Sequence, residues 1–205
     1  MVNINVKIIV VSVLFSGLLL FPRISSADTS APDHAFTNQD QSVRSNYLIF
    51  STGYVRGELK GNEDLEIIPF SVRVGLDIND FAGIHGDSSL QLGIEPFVNT
   101  IIAPDRGIEA GINIGLRYMT PMADGVSIFG EISSGPAYFG IDTVEQGDAG
   151  FNFLSQFGAG LQVELSRNMA FNTAYRFRHL SNAGFTQPND GINTNAIIAG
   201  LSFSY

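Results

Sequence analysis

The sequence contains no cysteine and no tryptophan, and only 15% of its 205 residues are charged. The lack of cysteine excludes disulfide bonds, thiolate nucleophiles and every metal or haem site that needs a thiolate ligand. The charged fraction lies well below the roughly 25% of an average soluble chain. Eleven lysines and arginines stand against 20 aspartates and glutamates, which gives a formal net charge of −9. Because nucleic-acid binding depends on clustered positive charge, this balance argues against a nucleic-acid partner.

The amino end has the three parts of a secretory signal peptide. Lys7 supplies the positive charge, an apolar run extends from Ile8 to Phe21, and Ser25-Ser26-Ala27 form a small-residue cleavage site. The apolar run is shorter than the roughly 20 residues that span a bilayer as a helix. We therefore predict that residues 1–27 are a signal peptide, with a retained anchor helix as the alternative. Residues 28–45 are polar and aperiodic and are predicted to form a periplasmic leader.

From residue 46 to residue 205, apolar and polar residues alternate with period two, which is typical of β-strands with one apolar face. Eight such runs are separated by Gly, Asn, Asp or Pro: 46–56, 65–79, 88–100, 107–120, 124–135, 150–165, 168–182 and 192–205. Each is long enough to cross a bilayer as a tilted strand, which takes about 9–11 residues. A soluble sandwich would bury the apolar face, whereas an exported barrel turns it to lipid. The even strand count and the signal peptide favour an all-β fold, an eight-stranded antiparallel transmembrane β-barrel in the outer membrane of a Gram-negative bacterium. The last residues, Phe203 to Tyr205, resemble the carboxy-terminal signal of such barrels.

The opposite face of the runs is rich in glycine and carries charged residues that would point into a polar lumen: Arg73, Glu95, Glu109, Arg117, Glu131, Arg176 and Arg178. Buried charges persist when they are paired, so we expect an ion-pair network there. Side chains fill the interior of an eight-stranded barrel, which argues against a diffusion pore. Both termini are predicted to be periplasmic, with turns near 79–87, 120–124 and 165–168 on that side. The connections predicted to face outward are 57–64, 101–106, 136–149 and 183–191.

A polar pair stands on the apolar face of the seventh run. Phe171, Tyr175 and Phe177 define this face, and the same parity places His179 and Ser181 on it, at the outward end of the strand. An imidazole beside a hydroxyl is what a serine esterase requires. A polar girdle at the membrane interface is the structural alternative, and the pair taken alone favours it.

The residues that follow carry a resemblance to a known family. The block from His179 to Asn193, which begins His-x-Ser-Asn-Ala-Gly, is similar to the active-site block of PagL, the family of outer-membrane lipid A 3-O-deacylases. The segments 95–99, 135–139 and 151–160 also resemble that family. The resemblance implies an eight-stranded barrel that hydrolyses the ester holding the acyl chain at the 3-position of lipid A in the outer leaflet, without a metal or cofactor.

The resemblance also implies roles for individual residues. Ser181 would be the nucleophile and His179 the general base. The side chain of Asn189 and the backbone N–H of Gly184 would stabilise the oxyanion, with Asn182 supporting the loop. Donors in an ordered turn beside the nucleophile suit the charge that develops there.

The chain departs from the family's pattern at the third member of the triad. The family has a glutamate fourteen residues after the histidine, whereas this chain has Asn193. An asparagine carbonyl can fix the tautomer of an imidazole, as in Cys-His-Asn proteases, but it cannot balance the charge of the imidazolium. Asp190 and Asn195 are the alternative third members.

The predicted function is therefore that of a lipid A 3-O-deacylase, with lipid A and outer-membrane lipid as partners and a homodimer left open. The main alternative is a non-catalytic barrel with a structural or adhesive role, favoured only by Asn193. A lipid-modifying barrel that uses a divalent metal is a second alternative, and the scarcity of carboxylates near His179 argues against it. Asp142, Glu145 and Asp148 are interpreted as a solvated acidic loop, with a site for a divalent cation as the alternative.

Overall fold

The structure, a computed structural model, describes residues 46–205. Its elements are β1 (Tyr47–Leu59), β2 (Glu63–Ile68), β3 (Phe70–Asp77), α1 (Asn79–Ala82), β4 (Ser89–Ala103), β5 (Gly107–Ala123), β6 (Val126–Phe139), β7 (Gly150–Ser166), β8 (Met169–Ser181) and β9 (Ile192–Ser204). The predicted signal peptide and leader, residues 1–45, lie outside the described residues and stay predictions. Between residues 46 and 205 there is no helix long and apolar enough to cross a membrane.

The strands form one antiparallel sheet that closes on itself. Strand β9 pairs with β8 on one side and with β1 on the other, where the ladder covers Tyr47–Gly57. Strands β2 and β3 follow a single path, because β1 pairs with both in one continuous register. Pro69 separates them, since proline has no N–H to donate to the ladder. The predicted eight-stranded barrel is confirmed, with its second strand interrupted at Pro69.

The two ends of the barrel differ in their connections. The end that carries residues 46 and 205 has the α1 segment and the two-residue turns 124–125 and 167–168. The opposite end, called the loop end below, has the connections 60–62, 104–106, 140–149 and 182–191. The order of short and long connections agrees with the sequence, but β1, β4 and β6 extend further than predicted, so three of the connections at the loop end are shorter. That the loop end faces the cell exterior stays a prediction.

Alternating side chains give the barrel an apolar outer surface. Along β8, Phe171 and Tyr175 are exposed, whereas Asn172, Ala174 and Arg176, which have the opposite parity, are buried in the lumen. The same alternation runs along the other long strands. The outer surface therefore suits contact with hydrocarbon.

Charged side chains fill the middle of the lumen, and all seven that were predicted to face inward are buried. Arg176 donates from Nη1 to Glu95 Oε1 at 2.7 Å and from Nε to Glu131 Oε1 at 2.6 Å. Arg117 Nη2 donates to Glu131 Oε2 at 2.8 Å, and Arg73 Nη1 lies 3.5 Å from the same carboxylate oxygen. The predicted ion-pair network is present.

Nearer the loop end, the interior becomes apolar. A separate ion pair, between Arg178 and Glu109 at 2.5 Å, forms the edge of the charged layer that is nearest the loop end. Above it lies a cluster of buried apolar residues: Val55, Leu59, Leu65, Ile67, Phe97, Ile101, Ala137, Phe139, Ile141, Leu154, Leu180, Ile192, Ala196 and Ile198. The expectation of a polar lumen is therefore wrong for this part of the barrel, which has a hydrophobic core directly beneath the outer loops.

Candidate active site

The candidate site lies on the outer face of the barrel at the loop end. His179 and Ser181 are half-buried residues near the end of β8, and both alternate with buried neighbours that face inward. Two residues of a strand span about 7 Å, so the two side chains stand next to each other on one face, as the parity predicts. The 182–191 segment, called the site loop below, continues directly from Ser181 and leads into β9.

Asn193 contacts the histidine. It lies on β9 in direct register with His179, and its Oδ1 atom is 2.7 Å from the histidine Nδ1 atom. An amide oxygen only accepts hydrogen bonds, so Nδ1 carries the proton in this contact and the lone pair is left on Nε2. This is the tautomer that a general base facing a serine requires.

Gly191 fixes the other side of the imidazole. Its φ of 75° lies in the left-handed region that favours glycine. A Cβ atom added there would lie 2.6 Å from His179 Cε1 and 3.2 Å from Nε2, so the backbone packs directly against the ring. The sequence did not identify this contact. The pair Asp190-Gly191 signals a turn, but it gives no indication that the turn would rest on the histidine.

Asn182, for which the resemblance implies a supporting role, makes three side-chain hydrogen bonds within the site loop. Its Nδ2 atom donates to Thr186 Oγ1 at 2.9 Å and to the carbonyl of Pro188 at 3.1 Å. Its Oδ1 atom accepts the N–H of Gly184 at 2.9 Å. One buried side chain thus crosslinks three positions of the loop.

The two donors implied for the oxyanion differ in their availability. The N–H of Gly184 is already engaged by the Asn182 side chain. Asn189 accepts the backbone N–H of Asn182 on its Oδ1 atom at 3.0 Å. This bond orients the Asn189 amide and leaves its Nδ2 group as the donor end. A substrate oxyanion would have to share the Gly184 N–H with Asn182.

The alternative third members bond elsewhere. The Asp190 carboxylate accepts from the ammonium of Lys60, in the β1–β2 turn. This hydrogen bond raises the pKa of Lys60 above its ordinary value. Asn195 Oδ1 accepts from Tyr175 Oη at 2.5 Å. Of the three candidates, the structure therefore brings Asn193 to the histidine.

The acidic residues of the β6–β7 connection are not a uniformly solvated group. Glu145 is 5% exposed, and its carboxylate accepts the backbone N–H of Lys60. Asp142 accepts the N–H of Ala149 at 2.7 Å. The interpretation of this loop as solvated is therefore wrong for Glu145. Within residues 46–205, no three His, Asp or Glu side chains are grouped as metal ligands.

Three phenylalanine side chains form a cluster beside Ser181. Phe153 on β7 lies in register with Ser181 and packs against Phe151 with ring centroids 5.1 Å apart. Phe185 of the site loop joins them, at 6.2 Å from Phe151 and 6.4 Å from Phe153, and is 72% exposed. Sequence reasoning missed this cluster, because a phenylalanine on an outward face is ordinary in a membrane barrel. It gives the site an apolar surface beside the serine.

Comparison with known proteins identifies the family of the chain. The family model of lipid A 3-O-deacylase (PagL) matches residues 72–202, a span that contains the whole site from His179 to Asn193. The chain belongs to the lipid A 3-O-deacylase (PagL) family. Its function is accordingly that of a lipid A 3-O-deacylase in the outer membrane, with lipid A as the substrate.

Solved structures support the fold of this PagL family member. The crystal structure of the outer membrane enzyme PagL is 17% identical with a TM-score of 0.51, and the match covers 75% of this chain and 97% of that one. Neisserial surface protein A (NspA) is 12% identical with a TM-score of 0.54, over 78% of this chain and 97% of that one. At these identities both show the barrel fold alone. None of the curated protein sequences matches the chain.

Proposed function

We propose that this PagL family member is a serine esterase in which Ser181 is the nucleophile, His179 the general base and Asn193 the residue that orients the base. The observation that carries the proposal is the 2.7 Å contact between His179 Nδ1 and Asn193 Oδ1, on the same outer face as Ser181. A hydroxyl, an imidazole and a third group that fixes the imidazole are the minimum set for this chemistry.

The acylation step follows from the tautomer. Ser181 Oγ attacks the carbonyl carbon of the 3-linked ester while His179 Nε2 takes the hydroxyl proton. The tetrahedral intermediate then collapses, the bond from the carbonyl carbon to the 3-oxygen of the sugar breaks, and the imidazolium returns the proton to that oxygen. The sugar leaves with a free 3-hydroxyl, and the acyl chain is held on Ser181.

Deacylation repeats the sequence with water. His179 Nε2 takes a proton from the water as its oxygen attacks the acyl carbon, and the proton passes to Ser181 Oγ when the ester bond to the serine breaks. The second product is the free fatty acid. These steps use side chains of the chain and water, so the mechanism requires no cofactor.

The developing oxyanion is assigned to Asn189 first. The Oδ1 atom of Asn189 accepts the N–H of Asn182, so the Nδ2 group of the same amide is the one that donates to the oxyanion. Gly184 is the second donor, because its N–H can turn from the Asn182 side chain to a negative oxygen, which is the stronger acceptor. Removing one such donor typically costs about 10²–10³ in kcat.

The position of the site suits an acyl chain that stays in the membrane. In the aromatic cluster, Phe151 and Phe185 are exposed, and the half-buried Phe153 lies in register with Ser181. Burying an apolar chain against such a surface is favourable by roughly 25 cal/mol for each Å² removed from water. The ester would therefore reach the serine without extraction of the lipid. The homodimer left open by the sequence stays a prediction.

A non-catalytic barrel is the second candidate, and one observation favours it: Asn193 stands where the family has a glutamate. The test is hydrolysis of purified lipid A by folded protein in detergent. The parent should release the 3-linked chain, whereas Ser181→Ala and His179→Ala should each abolish release, and the double variant should be little worse because triad members act as a unit. A folded parent without turnover would favour the non-catalytic barrel, and turnover by Ser181→Ala would contradict the serine mechanism.

A further inference from the structure

The β6–β7 connection contains a tight turn that rests on the site loop. Thr143 and Gly147 exchange backbone hydrogen bonds of 2.9 Å and 2.8 Å, which closes the turn. Between them, Gln146 donates its own N–H to Thr143 Oγ1 at 3.2 Å. The Gln146 side chain is 3% exposed, so it points into the protein rather than into solvent.

Backbone contacts dock this turn on the site loop. The Glu145 carbonyl accepts the N–H of Asp190 at 2.9 Å. Gly147 packs so closely against Pro188 that an added Cβ atom would lie 3.2 Å from Pro188 Cδ. Two points of the site loop are therefore held from outside the loop, both near the end that leads into β9.

Gln146 holds the other end of the site loop, which directly follows Ser181, the proposed nucleophile. Its Oε1 atom accepts the backbone N–H of Asn182 at 3.0 Å. The same N–H also donates to Asn189 Oδ1 at 3.0 Å. One N–H is thus shared by two side-chain carbonyls, and it lies in the residue directly after Ser181.

The environment of Gln146 indicates that its polarity serves this contact. Its Nε2 atom is buried and has no hydrogen-bond partner among the described residues. A buried amide donor without a partner is destabilising, so an apolar side chain of similar size would be the more stable choice for packing alone. The oxygen that reaches Asn182 is the part of the side chain that finds a partner.

We propose that Gln146 is a positioning residue for the hydrolysis of the 3-linked ester of lipid A. By sharing the Asn182 N–H with Asn189, it sets the place of the Asn189 amide, which donates to the oxyanion. This inference rests on the proposed function, because it assigns Gln146 an effect on that donor. Gln146 itself touches neither the substrate nor the reacting atoms.

The test compares kcat and KM of Gln146→Met with those of the parent on lipid A in detergent. Methionine keeps the length of the side chain and removes the carbonyl. A donor that is displaced but still present should lower kcat about tenfold, less than the roughly 10²–10³ lost when a donor is removed. KM should stay within about twofold, since the contact acts in the transition state. Gln91→Met is the matched control, because Gln91 is equally buried and bonds to Tyr47 far from the loop end.

A double-mutant cycle separates positioning from a general loss of structure. In the Asn189→Ala background, the donor that Gln146 positions is absent, so adding Gln146→Met should lower kcat by less than about twofold. An equal fold-loss in both backgrounds would mean that Gln146 acts on the structure at large and would overturn the proposal. If the Met variant does not fold, Gln146→Ala, which only removes atoms, takes its place in the cycle.

The outcomes distinguish this inference from the proposed function. An unchanged kcat in Gln146→Met, beside a normal parent, contradicts the positioning role alone. Turnover by Ser181→Ala contradicts the serine mechanism. The effect of Gln146→Met is still measured in that case, by comparing its kcat with that of the parent. A folded parent without any turnover contradicts both.

Discussion

At the scale of single residues, the imidazole of His179 is held from two sides. Asn193 Oδ1 accepts its Nδ1 proton, and the backbone of Gly191 packs against Cε1 and Nε2. Neither group supplies a charge. In the proposed mechanism the base is therefore oriented by geometry alone, whereas a carboxylate in the family's position would also stabilise the imidazolium.

The first prediction concerns this missing charge. Asn193→Ala should lower kcat by at least about tenfold, with a ceiling near the 10⁴ that a histidine in the wrong tautomer can cost. Asn193→Glu should match or exceed the parent, because a carboxylate orients the ring and stabilises its protonated form. The measurement is ester hydrolysis by refolded variants across pH 6 to 9. If Asn193→Ala has the turnover of the parent, Asn193 is not the third member.

The second prediction concerns Gly191. Gly191→Ala would place a methyl group 2.6 Å from His179 Cε1, so the ring must move, and kcat should fall by at least about tenfold. Gly61→Ala is the matched control, since Gly61 also has a positive φ but has nothing within 4 Å of an added Cβ. Both variants carry the backbone cost of roughly 1–2 kcal/mol. Equal activity in the two variants would show that the contact with the ring does not matter.

At the scale of strands and loops, some of the architecture could be predicted from sequence. Period-two alternation gave the order of the strands and the shared face of His179 and Ser181, and the family pattern pointed to Asn193. The break at Pro69 was missed because the alternation continues through it: Ile67 and Pro69 are both buried, and Ile68 and Phe70 are exposed. The apolar part of the lumen was missed for a related reason. Near the loop end, inward positions are apolar too, so the polarity of a residue no longer reports which face it occupies.

Contacts between loops could not be predicted at all. Gln146 and Asn182 are separated by 36 positions and belong to segments without periodicity. Glu145, in the same turn, has the composition of a solvated acidic residue, yet it is buried because three connections converge on it. Such contacts depend on how the barrel brings its loops together, which no local pattern encodes.

The third prediction concerns the ion pairs that join β4, β6 and β8. Arg176→Met leaves the carboxylates of Glu95 and Glu131 buried with fewer partners. Breaking a buried pair in this way typically costs 3–5 kcal/mol, so the urea midpoint of the folded barrel should fall clearly. Arg167→Met, at an exposed turn, is the control and should keep the parent midpoint. An unchanged midpoint in Arg176→Met would show that the network does not stabilise the barrel.

At the scale of the whole molecule, the barrel interior and the barrel surface have separate tasks. The interior is closed by two layers, the ion-pair network in the middle and the hydrophobic core beneath the loops. The proposed catalytic groups, Ser181 and His179, lie on the outer face of the barrel. The protein thus works as an enzyme embedded in the membrane, and its lumen serves as the core that holds β8 and β9 in register.

The fourth prediction follows from the closed interior. Purified barrels inserted into planar bilayers should give no stable single-channel currents, because charged and apolar side chains fill the cross-section at successive levels. An open mutant of a larger porin, inserted in the same bilayers, is the positive control: its currents show that barrels insert under these conditions. Stable currents from the parent would contradict the closed lumen.

The most direct test of the central claim is mass spectrometry of lipid A from Gram-negative cells that express the parent or Ser181→Ala at equal levels in the outer membrane. Lipid A from cells with the parent should lose the mass of the 3-linked acyl chain, whereas lipid A from cells with Ser181→Ala should keep the full mass. Lipid A of unchanged mass in both strains, or the same loss in both, would contradict the assignment of this barrel as a serine-dependent lipid A 3-O-deacylase.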